Sequence, residues 1–199
     1  MGFDLYGLKP KIKKDSVRPP AIDWNKCTDK EKKKYFKISN QWETDNVGIY
    51  FRNNVWWWRP LADLVEKLCF FLDDKEKEHL HHNGGYQYDE ATAHRIADAL
   101  EAFVKSSVAK RTVIAHNKAR KKAEAHNKKV SLKLKALDMD AIARTGNKKI
   151  APCDYPKDLH DKWENIYREH DHTASYPFSL KNVKEFVKFL RQCGGFSVC

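Results

Sequence analysis

The chain of 199 residues contains no uninterrupted apolar run of about 18 residues, the length that a membrane-spanning helix needs. Its opening run, Met1–Tyr6, lacks the basic and then apolar order of a secretory signal. The five cysteines form no Cys-x-x-Cys pair, and an odd, widely spaced set argues against a disulfide framework. These absences lead us to expect a protein of a reducing cytoplasm, without a membrane span.

Signatures of catalysis are also missing. The sequence has no Gly-x-Ser-x-Gly element, no phosphate-binding loop and no His-Glu-x-x-His pair. Metal-ligating residue types occur in the histidine turn, His79–His82, and in the set Cys153, His160, His170 and His172. Neither group has the four closely spaced ligands of a structural zinc site. We therefore expect a non-enzymatic protein with no catalytic residues, no metal and no cofactor; a metal-dependent nuclease or hydrolase using the histidine turn is the enzymatic alternative.

Positive charge is concentrated in one segment. Residues 105–135 carry +10 of the formal net charge of +11, because they contain 11 basic side chains and only one carboxylate, Glu124. A phosphate backbone attracts such a segment through counterion release, and lysines without interleaved aromatic rings give no base readout. The segment predicts either sequence-independent nucleic-acid binding or a solvated helical arm. The predicted basic surface comprises Lys118, Arg120, Lys121, Lys122, Lys128 and Lys129.

The same segment has the composition of a long helix. Neither Gly nor Pro occurs between Glu90 and Thr145, and Ala and Lys are frequent. We predict that residues 105–150 form a basic helical insertion, either one helix or a hairpin turning near His126-Asn127. A seam of small and apolar side chains, spaced by threes and fours, offers a surface for homo-oligomer formation. This seam comprises Val108, Thr112, Ala115, Ala119, Ala123, His126, Val130, Leu134, Leu137 and Ala141.

The most distinctive run is Tyr50–Leu61, in which three consecutive tryptophans lie between Arg52 and Arg59. We predict an extended segment over Tyr50–Trp58, which sends neighbouring rings to opposite faces, and then a helix opened by Pro60. Two interpretations are open. The rings fill two layers of a core, or one ring is exposed beside an arginine and contacts a flat anionic ligand such as a nucleotide. The ligand-binding residues predicted under the second interpretation are Arg52, Asn53, Trp57, Arg59, His82 and Asn83.

The spacing of apolar residues predicts a helix-rich α+β fold. Amphipathic helices over 60–73, 90–105, 156–169 and 179–192 are expected to cover a small sheet that includes both termini and the Tyr50 strand. Residues 1–104 and 151–199 are expected to form one compact domain together, from which the insertion 105–150 projects. No internal repeat is visible in the chain.

Three blocks carry a resemblance: Gly2–Gly7, Tyr50–Leu61, and the run Tyr176–Cys199 with its Tyr-Pro-Phe-Ser and Gly-Gly-Phe elements. Together they resemble a family of small proteins encoded by tailed bacteriophages. The resemblance implies a phage protein of the host bacterial cytoplasm that interferes with host defence, by occluding a defence protein or by sequestering a nucleotide ligand. The aromatic–arginine run would then contact the ligand, and the basic helix would attract phosphate or an acidic surface.

Overall fold

A computed structural model describes residues 2–199 of the chain. Four short strands form one antiparallel sheet in the order β2-β1-β4-β3: β1 (Gly2–Gly7), β2 (Tyr50–Asn54), β3 (Tyr86–Tyr88) and β4 (Phe196–Val198). The α-helices of the described residues are α1 (Asp29–Asp45), α2 (Val55–Leu68), α3 (Asp74–His79), α4 (Glu90–Lys105), α5 (Ser107–Thr145), α6 (Lys157–Tyr167) and α7 (Leu180–Leu190). The predicted helix-rich α+β fold is confirmed, including a sheet that contains strands from both ends of the chain.

The central strand β1 pairs antiparallel with both β2 and β4, with Leu5 opposite Val198. Successive side chains of a strand point to opposite faces. Phe3 and Leu5 are therefore buried on one face of the sheet, whereas Asp4 and Tyr6 lie on the other.

The chain divides into two compact units: the part up to Arg111 together with Phe178–Cys199, and Thr112–Pro177. In the first unit α2 and α7 pack on the sheet, and α4 packs on both helices. This confirms that the helices expected near 60–73 and 179–192 cover the sheet. The largest fully buried side chains of this core are Leu5, Trp58, Leu61, Leu80, Tyr88, Ile96, Leu100, Phe186, Phe189, Leu190 and Phe196.

The start of α2 corrects the prediction for the tryptophan run. The strand ends at Asn54 and the helix begins at Val55, so the tryptophans lie on a helical turn and not on a strand. Asn54 caps the helix, since its side-chain oxygen accepts a hydrogen bond from the Trp57 amide at 3.1 Å. Pro60 is consequently inside the helix instead of at its first position. The cap and the apolar stripe that follows outweigh the loss of the proline amide.

The second unit is built on α5, a single helix of 39 residues that is about 58 Å long and does not turn near His126-Asn127. None of the helices in residues 2–199 has both the length and the apolar character required to cross a membrane. After α5 the chain turns and returns through α6, where Ala141, Tyr155 and Leu159 are buried together. Residues 151–177 thus group with α5 and not with the sheet, which differs from the predicted domain boundaries. The helix expected to cover the sheet at 156–169 packs on α5.

Candidate binding surfaces

One side of α5 presents a row of lysines that we call the lysine face: Lys118, Lys121, Lys122, Lys128 and Lys129. Relative to Lys118, the other four follow at 3, 4, 10 and 11 residues, spacings that a 3.6-residue repeat brings to one side of a helix. All five side chains are exposed. Ala123 and Val130, which lie on the opposite side, are each only 1% exposed.

The opposite side of α5 is held by hydrogen bonds to the backbone of the returning segment. His116 Nε2 donates to the Tyr176 carbonyl at 2.6 Å, and His126 Nε2 donates to the Glu169 carbonyl at 2.8 Å. Asn127 both donates to and accepts from the backbone of Asp171, each at 2.9 Å. These contacts fix the rotation of α5 within the second unit, so the lysine face is directed away from the returning segment.

Carboxylates of the second unit neutralise other basic residues of α5. Arg120 pairs with Glu124 at 3.0 Å, and its Nε donates to the Ala174 carbonyl at 3.1 Å. Arg120 was predicted to belong to the basic surface; instead it is half-buried and contacts the returning segment. Lys133 pairs with Glu169 at 2.7 Å. Residues 112–177 contain 14 basic and 9 acidic side chains, a net charge of +5.

The five lysines of the lysine face take no part in these ion pairs. Among residues 2–199, the ion pairs of α5 involve Arg120, Lys133 and Arg144 but none of the five lysines of the lysine face. Five of the six predicted basic-surface residues therefore share one exposed surface.

Part of the seam predicted for a homo-oligomer is covered within the chain. Ala123, Val130 and Ala141 are buried, whereas Ala115 and Ala119 are exposed. The small side chains let the returning segment approach α5 closely. Homo-oligomer formation through α5 stays a prediction. Its contact surface would not include the buried residues Ala123, Val130 and Ala141.

The three tryptophans differ in burial. Trp58 is fully buried, stacks on Phe3 with a centroid separation of 5.6 Å, and donates from Nε1 to the Leu80 carbonyl at 2.7 Å. Trp57 is half-buried, and Trp56 is 44% exposed. The core interpretation therefore holds for Trp58. Trp56 is the most exposed of the three tryptophans and was not among the predicted ligand residues.

Asn53 is part of the scaffold and not of an exposed site. It is 6% exposed and donates from Nδ2 to the side-chain oxygen of Asn182 at 2.9 Å. Asn182 in turn donates to the Trp57 carbonyl at 3.3 Å. The two amides link β2, α7 and the first turn of α2. Asn53 is buried and its Nδ2 is engaged inside the fold, which argues against an exposed ligand contact there. A role for Asn53 in ligand binding stays a prediction.

The second face of the sheet carries Arg52 beside two tyrosines. Arg52 is exposed and lies opposite Asp4 in the β1–β2 register. The Asp4 carboxylate accepts a hydrogen bond from the Tyr50 hydroxyl. Burial and this carboxylate raise the pKa of Tyr50 well above its usual range. Tyr6 stacks on Tyr50 with centroids 5.1 Å apart and is 47% exposed.

The remaining predicted ligand residues lie on two parts of the chain, Arg59 on α2 and His82 and Asn83 in the turn before β3. Arg59 and His82 are exposed, and His82 lies 3.9 Å from Glu78. Asn83 donates from Nδ2 to the Gly2 carbonyl at 2.9 Å, so its amide connects the turn to β1. Sequence analysis missed Tyr6 and Tyr50, although the alternation of polar and apolar residues along β1 was a signal for an open sheet face.

Comparison of the chain with models of protein families, with curated proteins and with solved structures gives no match.

Proposed function

We propose that the protein is a non-enzymatic nucleic-acid-binding protein that contacts the phosphate backbone through the lysine face without reading base sequence. The observation that supports this proposal is a row of five exposed lysines outside the ion pairs of α5. Lys118 and Lys129 are eleven positions apart, which corresponds to about 17 Å along the helix. Double-stranded DNA carries one negative charge per about 1.7 Å, so a row of this length meets several phosphates.

The proposal includes a biological setting that rests on the resemblance to tailed-bacteriophage proteins. In the cytoplasm of an infected bacterium, a protein that covers nucleic acid would interfere with host defence by occlusion. No Phe, Trp or Tyr is interleaved with the lysines between Lys118 and Lys129. This favours binding to any base sequence over recognition of one sequence.

The test is binding of a fluorescent duplex of random sequence, measured by anisotropy over a range of salt concentrations. If all five lysines contact phosphates, the logarithm of the association constant should fall with the logarithm of salt with a slope of roughly −4 to −5. The double variant Lys121→Glu, Lys122→Glu should lose at least tenfold in affinity. The matched control is Lys148→Glu, Lys149→Glu, an adjacent exposed pair in the loop after α5. Equal losses in both variants, or no salt dependence, would remove support for the lysine face.

A second candidate function is binding of a nucleotide, or occlusion of a defence protein, through the aromatic–arginine run. The observation that favours it is the 44% exposure of Trp56, in a run whose flanking residues Arg52 and Arg59 are also exposed. An exposed indole stacks on a base, and a guanidinium attracts phosphate or a carboxylate. Calorimetric titration with ATP should show binding that Trp56→Ala abolishes. Trp24→Ala, at a tryptophan that is 49% exposed, is the matched control. Absence of ATP binding, followed by capture of a host protein that Trp56→Ala prevents, would favour the protein partner.

A further inference from the structure

The histidine turn after α3 gives each of its three histidines a different environment. His79 stacks on the first tyrosine of β3 with centroids 4.2 Å apart, and His82 lies 3.9 Å from Glu78. His81 is directed at α2 instead, where its Nε2 lies 3.3 Å from a carboxylate oxygen of Glu66. Only His81 of the three therefore faces an element that is distant in sequence.

Asp63, one helical turn before Glu66, completes a cluster at this point. One ligand atom from each of Asp63, Glu66 and His81 lies within 4.8 Å of the other two. Two atoms that share an ion at about 2.1 Å are separated by roughly 3 to 4 Å, so small rotations of the carboxylate side chains bring all three to ligating distance. We propose that Asp63, Glu66 and His81 form a binding site for a divalent transition-metal ion.

The donor set indicates the class of metal. An imidazole nitrogen with two carboxylate oxygens suits zinc and neighbouring first-row ions, whereas magnesium and calcium prefer oxygen ligands alone. Two adjacent carboxylates repel each other, and a dication removes that repulsion. An ion pair between His81 and Glu66 alone would engage one carboxylate and leave Asp63 without a role. Three protein ligands leave further coordination positions for water.

The scaffold holds the ligands in place before any metal arrives. Asp63 and Glu66 are three residues apart on α2 and therefore share one side of that helix. His81 follows Leu80, which is fully buried and whose carbonyl accepts the hydrogen bond from Trp58 Nε1. Since Trp58 also belongs to α2, the turn is tied to the helix that supplies the carboxylates. A bound ion would add a second connection between the same two elements and stabilise the first unit.

This proposal replaces the expectation from sequence that the chain binds no metal, and it does not depend on the lysine face. The histidine turn lacked further ligands in its local sequence, and α2 supplies them about 15 positions earlier in the chain.

The experiment is calorimetric titration of the full chain with zinc chloride at neutral pH, with thermal unfolding followed in parallel. We expect about one equivalent of zinc to bind and to raise the unfolding temperature. His81→Ala and Glu66→Gln should each weaken zinc binding at least tenfold. His82→Ala is the matched control, since it removes the adjacent histidine, and it should bind zinc as the unchanged chain does.

Circular dichroism of each variant establishes whether it is folded. If His81→Ala does not fold, Glu66→Gln still tests the site. No zinc binding by the unchanged chain would overturn the proposal. Undiminished binding by His81→Ala and Glu66→Gln would also overturn it, because the zinc would then be held by other residues. Loss of binding in His82→Ala as large as in His81→Ala would overturn the assignment of the three ligands.

Discussion

The two units of the chain are stabilised by different kinds of contact. In the first unit, aromatic rings are buried against one another: Trp58 meets Phe186 at a centroid separation of 5.5 Å, and Phe186 meets Phe196 at 6.2 Å. In the second unit, the buried side chains are few and mostly small, and α5 is connected to the returning segment by side-chain hydrogen bonds to backbone groups. The buried apolar residues there are Ala123, Val130, Ala141, Tyr155 and Leu159.

The two kinds of contact have different consequences, one for the stability of a unit and the other for the orientation of α5. Burial of apolar area contributes about 25 cal/mol per Å² and has no direction, so it determines how stable the first unit is. A hydrogen bond contributes a net of about 1 kcal/mol, yet it is directional, so it determines which side of α5 faces the returning segment. We expect the second unit to open locally more often than the first, because it buries fewer large apolar side chains.

The largest effect that we predict is for Trp58→Ala in the first unit. Removal of a buried indole leaves a cavity and an unsatisfied Leu80 carbonyl, and such changes cost about 3 to 5 kcal/mol of the free energy of unfolding. Urea unfolding followed by circular dichroism measures this loss. Trp56→Ala is the control and should cost clearly less than Trp58→Ala, because its side chain is 44% exposed and its removal leaves no sealed cavity. Similar losses in both variants would contradict the assignment of Trp58 alone to the core.

An intermediate effect is expected for Asn127→Ala in the second unit. The variant loses both hydrogen bonds to Asp171, which should cost about 1 to 2 kcal/mol of local stability. Hydrogen exchange should become faster in residues 112–177 and stay unchanged in the sheet. Asn117→Ala, at an exposed position of the same helix, should leave the exchange rates as they are. Faster exchange throughout the chain would show that the two units unfold together.

The smallest effect concerns Tyr155, whose hydroxyl donates to the Asp138 carboxylate. Burial, and next that carboxylate, raise the pKa of Tyr155 to about 12 from the usual value near 10. The folded state therefore favours the protonated phenol. Its contribution is complete below about pH 10 and is lost as the pH rises through about 12. Tyr155→Phe should be slightly less stable than the unchanged chain at pH 8, and the difference should shrink towards pH 12. A difference in stability that stays constant from pH 8 to 12 would contradict the raised pKa.

Helices whose signals are local were predictable from the sequence. Residues 90–105 and 179–192 were expected to be helical, and α4 and α7 occupy Glu90–Lys105 and Leu180–Leu190. Each follows a capping side chain, Asp89 or Ser179, that accepts a hydrogen bond from the first turn. The cap and the apolar stripe both lie within a dozen residues, so no distant contact is needed to specify them.

The tryptophan run was mispredicted because two local signals compete there. Aromatic residues favour strands, and Pro60 suggested a helix start, whereas the Asn54 side chain caps a helix that begins at Val55. The local sequence also does not indicate which tryptophan is buried. A helical turn directs Trp56 and Trp58 to different sides, and only the surrounding core decides which of them is covered.

The sequence by itself determined the helix-rich α+β class, the capped helices and the charge-dense segment, because each depends on spacing and composition along a short stretch. Only the tertiary structure decided that residues 151–177 return along α5 and leave five lysines outward, and that α2 brings two carboxylates to His81. An amphipathic stripe specifies that a side chain will be covered, but its covering partner is chosen by competition among distant segments. That choice depends on packing, which local residue patterns do not encode.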